Sequence, residues 1–166
     1  MTRVDLLQAL KKFTEEATAN LILPTRIQNK GEEQGYRAPE VFLMRLPDSN
    51  SATKKAPYIL HQLVTGKDIQ AEKQQMENSA IVRSIFCVYD ADEQAGGLAL
   101  LEMAERVRIP LLKRCLIGRN QNEFWLDTTE GVEFLAYPDD TAPYYAGELI
   151  TTWHLPPIQR EVPEIW

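Results

Sequence analysis

Three carboxylates, Asp90, Asp92 and Glu93, stand together where an apolar run gives way to a helical pattern. Clustered oxygens of this kind are what a hard cation such as Mg²⁺ requires. The same residues also suit a helix start, where an acidic side chain accepts free backbone N–H groups and lies favourably in the macrodipole. No nucleotide-binding motif accompanies them, so capping is the preferred reading. None of the eight lysines has Asp or Glu two residues before it, which removes the strict PD-(D/E)xK nuclease motif. His61 and His154 fall in predicted strands, and Cys87 and Cys115 are the two cysteines. A thiol beside an imidazole is the arrangement of a nucleophile with its base. Spacing along the chain neither supports nor excludes that pairing, and a strand histidine is more often a packed or surface residue. GxSxG, GxGxxG, P-loop, HExxH and CxxC patterns are absent. The residues therefore predict no catalytic, cofactor or metal site.

Charge is unevenly placed. Arg106, Arg108, Lys113, Arg114 and Arg119 make a basic stretch, and no Lys or Arg follows until Arg160. Glu123, Asp127, Glu130, Glu133, Asp139, Asp140 and Glu148 fill that gap. Two readings stay open: a polarised subunit suited to head-to-tail assembly, or a solvated helix beside a solvated hairpin.

The elements that must position these residues follow from periodicity. Thr2-Arg-Val-Asp5 resembles a capping box, and Leu6, Leu10, Phe13 and Ala17 follow at helical spacing, which predicts a helix over 2–19. Residues 25–39 are polar and predict a loop. Val41–Leu46 and Tyr58–Val64 predict strands on either side of a polar loop at 47–57, and 66–78 predicts a polar connection. Ser79–Tyr89 is apolar at nearly every position, as in a strand buried on both faces. Leu100, Met103, Ala104, Val107 and Leu111 form the stripe of a second helix, kinked or restarted at Pro110 and ended by Gly118. Gly96 lies on that stripe, where it predicts close approach of helix to sheet. Phe124–Leu126 and Val132–Tyr137 flank Thr128–Gly131 like the arms of a hairpin, and one long strand runs from Tyr145 to Leu155. The expected fold is α+β: a mixed or antiparallel sheet of about four to six strands packed against two main helices. It occupies 1–155 as one domain, with an extended tail over 156–166.

That tail holds Pro156, Pro157 and Pro163 among Ile158, Val162, Ile165 and Trp166. The prolines end the strand and favour an extended path, and so many apolar side chains predict docking on its own domain or a neighbour. Exposed aromatics and an edge strand complete the expected binding material. The candidate interface residues are Tyr144, Tyr145, Trp153, Ile158, Val162, Ile165, Trp166, Arg114 and Arg119.

Composition sets outer bounds. At 166 residues, one domain is the natural expectation. A formal charge of −6 argues against general binding to nucleic acid or acidic membrane. Two distant cysteines predict free thiols in a reducing cytosol. Charges interrupt the N-terminal segment where a signal peptide needs its apolar core, and no run approaches a membrane span. The chain is expected inside a cell or in a particle assembled there.

Several blocks together resemble the tail terminator (tail completion) proteins of long-tailed bacteriophages and prophages. They are VDLLQALKKF, RAPEVFLMRLP with its polar loop and APYILHQLV, IVRSIFCVYDADEQAGGLALLEMAERVR, and YYAGELITTWHLPPIQREVPEI. The order covers nearly the whole chain, and the aromatic pair before Gly-Glu-Leu-Ile-Thr-Thr-Trp is the most specific part. The resemblance implies an α/β sandwich whose copies form a homohexameric ring that caps the tail tube and ends its polymerisation. The ring would dock the head-side connector and surround passing DNA, in a virion assembled in the bacterial cytoplasm, with no cofactor. Other readings remain: a different head–tail joining protein such as a stopper or adaptor, a small cytosolic enzyme, or a monomeric peptide-binding module.

Overall fold

The computed structural model describes residues 1–27, 30–47, 55–119, 122–138 and 142–161. Most of the polar loop at 47–57, the acidic pair Asp139 and Asp140, and the predicted interface residues Val162, Ile165 and Trp166 lie outside the described residues.

Helix α1 spans Arg3–Thr18 and begins as its sequence predicts. The Thr2 side chain accepts from the Asp5 N–H at 3.2 Å, and the Asp5 carboxylate accepts from the Thr2 N–H at 2.8 Å. Leu6, Leu7 and Leu10 are buried, and so are Thr14 and Thr18. Each threonine hydroxyl donates to the carbonyl one turn back, Leu10 and Thr14 respectively, so burial leaves its donor satisfied. Helix α2 spans Glu93–Arg114 and buries the predicted stripe together with Gly96. It runs through Pro110 without a break and ends at Cys115, a left-handed cap with φ 54°, rather than at Gly118.

The strands in chain order are β1 (Leu23–Pro24), β2 (Tyr36–Arg37), β3 (Glu40–Leu43), β4 (Tyr58–Ile69), β5 (Glu77–Tyr89), β6 (Leu116–Arg119), β7 (Asn122–Leu126), β8 (Glu133–Ala136) and β9 (Tyr144–Leu155). β2, which pairs with β1, lies within the region expected to be loop. The others form one seven-stranded sheet, ordered β3-β4-β5-β9-β7-β6, with β8 also paired to β9. β3 is parallel to β4 and every other pairing is antiparallel, so the fold is α+β with a mixed sheet and two main helices. The strand beyond the expected range is β6, whose four residues directly follow α2 and carry too little pattern to separate from a helix end.

Three pairings differ from expectation. The polar stretch at 66–78 is the tip of a long β4–β5 hairpin: backbone pairing continues after the apolar pattern stops, Gly66 to Ile69 lying opposite Ala80 to Glu77. β7 and β8 are not a hairpin: both lie along the same side of β9, β7 opposite Trp153 and His154 and β8 opposite Gly147–Ile150. β9 is therefore an interior strand, with β5 along its full length on the other side. The expectation of an edge strand at Tyr145–Leu155 is corrected accordingly.

Both helices pack on one face of the sheet. Phe86, Val82, Leu149, Trp153 and Phe124 point into that layer and meet Leu6, Leu10, Met103 and Val107. Burial along β5 alternates over most of its length, and both faces close only around Phe86–Val88. The opposite face carries a smaller cluster of Ala56, Tyr58, Leu60 and Cys87, flanked by Phe42, Ile85, Tyr89 and Tyr144.

Candidate functional site

The residues most suited to chemistry are each tied into structure. Asp92 is the N-cap of α2, accepting from the Gln94 and Ala95 N–H groups at 2.9 and 3.0 Å. Asp90 accepts from the Asp92 N–H at 2.9 Å. Among the described residues no group of three His, Cys, Asp or Glu side chains is placed to hold a metal ion.

His61 sits at the centre of the helix–sheet layer with no exposed surface. Its Nε2 lies 3.0 Å from Thr14 Oγ1 and its Nδ1 2.7 Å from Ser84 Oγ. The Thr14 hydroxyl already donates to the Leu10 carbonyl, so Nε2 carries the hydrogen and Nδ1 accepts from Ser84. Burial pulls the imidazole pKa down to about 3, which keeps it neutral. A serine bonded to histidine has the form of an activated nucleophile, but this pair is sealed from solvent and serves to satisfy polar groups inside the core.

His154 is half-exposed on the helix-free face, with Nε2 2.7 Å from Asp127 Oδ2. Asp127 also accepts from the Thr129 hydroxyl and the Thr129 and Glu130 N–H groups. These bonds, Thr129 first and His154 next, hold its carboxyl down at about 2. Ser79 stands opposite His154 in register, yet its hydroxyl turns to the Lys67 carbonyl. Asp127 therefore orders the β7–β8 turn and anchors His154 across it. Cys87 is buried beside Tyr58, and desolvation lifts its thiol pKa to about 11. Cys87 is therefore not poised as a thiolate. Cys115 is partly buried, with its thiol on the Leu112 carbonyl.

The predicted interface residues divide. Trp153 is wholly buried, its Nε1 donating to Thr151 at 2.8 Å, and Tyr145 is 8% exposed against α2. Both are corrected from surface to core: alternation along an interior strand turns them under the helices. Tyr144, one residue before Tyr145, faces the other way and packs on Tyr89 with ring centroids 5.5 Å apart. Ile158 stays 56% exposed, while its backbone N–H donates to the buried Asn78 side chain at 2.9 Å. The first residues of the tail thus belong to the domain. Arg114 and Arg119 are both exposed and line one groove between α1 and β6. Arg106 and Arg108 are neutralised on their own helix by Glu102 and Glu105.

Two surfaces were not anticipated. The helix-free face presents Ile81, Ile85 and Ile150 in partial burial, with Trp125 47% and Leu135 52% exposed. Arg83 crosses it, bonded to Gln62 and 3.8 Å from Glu148. The outer side of α2 carries exposed Leu98, Leu101 and Ile109. The spacing of these α2 residues marks a second apolar stripe that the stronger buried one hides.

No model of a protein family matches the chain, and no curated protein matches it. Among the described residues no helix is long and apolar enough to cross a membrane.

Proposed function

We propose that this chain is a structural subunit of a bacteriophage tail, forming a homohexameric ring that caps the tube and ends its growth. The ring presents its outer face to the head-side connector or stopper protein, and DNA passes through its lumen without being held. The support is the resemblance of the ordered sequence blocks, joined to one observation: among the described residues the sheet has helices on only one face. The other face leaves Trp125 and Leu135 about half exposed beside Ile81, Ile85 and Ile150. A second, unlike apolar patch stands on the outer side of α2. Ring closure needs two different patches on each subunit, and contiguous exposed apolar surface is the usual mark of such contacts. Assembly, and no reaction, is the chemistry these surfaces suit.

The test is mass in solution across a concentration series, with and without assembled tail tubes, by light scattering and sedimentation. A hexamer that joins tube ends and halts their growth is the expected result, and a monomer that joins them would equally support capping. A monomer indifferent to tubes would remove the role.

A further inference from the structure

α1 and β6 enclose a groove of about 390 Å³. Phe13, Ile117 and Phe124 make its apolar lining, and Lys12, Arg114 and Arg119 stand around it. The Arg114 guanidinium lies 5.8 Å from the centre of the Phe13 ring. Among the described residues neither Lys12 nor Arg119 has an ion-pair partner. Of the acids present, Asp5 is taken up by the Thr2 cap, and Glu16 lies one turn beyond Lys12. β6 ends the sheet, so no strand pairs with its outer edge among the described residues. An apolar floor, an excess of cations and an open strand edge suit an extended segment that is both apolar and acidic.

The chain carries such a segment at 161–166, Glu-Val-Pro-Glu-Ile-Trp, with two carboxylates and no cation. We propose that this segment of one copy docks in the α1–β6 groove of a second copy. Val162, Ile165 and Trp166 supply the apolar contacts, and Glu161 and Glu164 meet Lys12, Arg114 and Arg119. Pro163, which has no N–H, faces away from β6 and leaves its neighbours to pair.

The partner is a second copy because, after Ile158, the chain runs to the β4–β5 turn and not towards β6. Ile158 is bonded to Asn78 on β5, and Arg160 stands with Gln70 and Met76 at the β4–β5 turn. From there to β6 is three to four strand spacings, roughly 14–19 Å. Six residues extend at most about 20 Å, so docking at home would use up the segment in reaching the groove. Each copy that gives a segment and receives one is joined head to tail, as a ring requires. The inference rests on the self-assembly part of the proposed function.

Two full-length variants test it. One carries Arg114→Glu with Arg119→Glu, and the other Val162→Asp with Ile165→Asp. Native mass spectrometry and sedimentation should show wild type associating and each variant weakened by about tenfold or more. Mixing the two should give a 1:1 dimer, since one retains the segment and the other the groove. That product also shows both variants to be folded. Wild type monomeric at its highest soluble concentration would overturn the proposal, as would variants that associate like wild type. If those variants still form rings that cap tubes, only this link falls. If wild type associates through the segment yet leaves tubes growing, the link stands and the tail reading falls.

Discussion

His61 is a charge-bearing side chain held neutral by its surroundings, and that has a consequence with a definite sign. Its imidazole has a pKa of about 3 in the folded chain, against the ordinary value of 6.5. Above pH 6.5 it contributes nothing to the pH dependence of stability. As pH falls from 6.5 towards 3, the unfolded chain binds a proton that the folded chain refuses, and stability declines by up to about 1.4 kcal/mol per pH unit. Urea unfolding of wild type and His61→Gln between pH 7 and 5 should give a steeper decline for wild type, whatever the variant loses overall. Equal slopes would mean the histidine is solvated. Phe86, with no exposed surface, is the plainest packing residue of the same layer. Phe86→Ala should destabilise by about 3–5 kcal/mol, and a loss below about 1 kcal/mol would mean the site collapses or the layer is loose.

At the scale of elements, the two adjacent glycines of α2 separate two effects that usually mix. A Cβ on Gly96 would stand 2.2 Å from the Tyr145 ring, whereas one on Gly97 would meet nothing within 4 Å. Gly97→Ala should raise stability by up to about 1 kcal/mol through helix propensity alone. Gly96→Ala should lower it by about 1–3 kcal/mol, because helix and sheet must part to admit the methyl group. Thermal melts of both variants decide the matter, and equal behaviour would refute the close approach. The tail has a similar internal boundary. Read at concentrations too low for association, removing everything from Pro156 should cost about 1–3 kcal/mol more than removing 161–166. The difference is the buried Asn78 Oδ1, which the longer deletion strips of its Ile158 donor. A truncation at 155 as stable as wild type would show that the tail is no part of the fold.

At the scale of the molecule, negative charge and localised cations make separable claims. Arg106 and Arg108 are paired along α2, so the basic stretch reduces to a few side chains beside the α1–β6 groove. With a net charge of −6, the chain should not retain duplex DNA at moderate salt. A mobility-shift assay checks this, and salt-dependent retention would contradict DNA as mere passing cargo.

Local pattern was enough to identify much of this molecule. The Thr2–Asp5 capping box, the Leu100–Leu111 stripe, the Asp92 cap, the long strand ending at Leu155 and the reason for Gly96 are all legible because each depends on residues within a turn or two, or on a period of 3.6 or 2. What distance along the chain conceals was decided by the tertiary structure. β7 and β8 flank a turn and yet both pair with β9, one after the other along the same side of it. That pairing makes β9 interior and sends Trp153 and Tyr145 into the core, since alternation sets which residues share a face but not which face the helices cover. Thr14 reaches His61, the register partner of Ser84, only because α1 packs on β3 and β4, and Arg119 reaches the groove beside Lys12 only because β6 ends the sheet. Sequence specifies the faces of each element. The choice of which face is buried, and which is left for a neighbour, belongs to the packing of the whole chain.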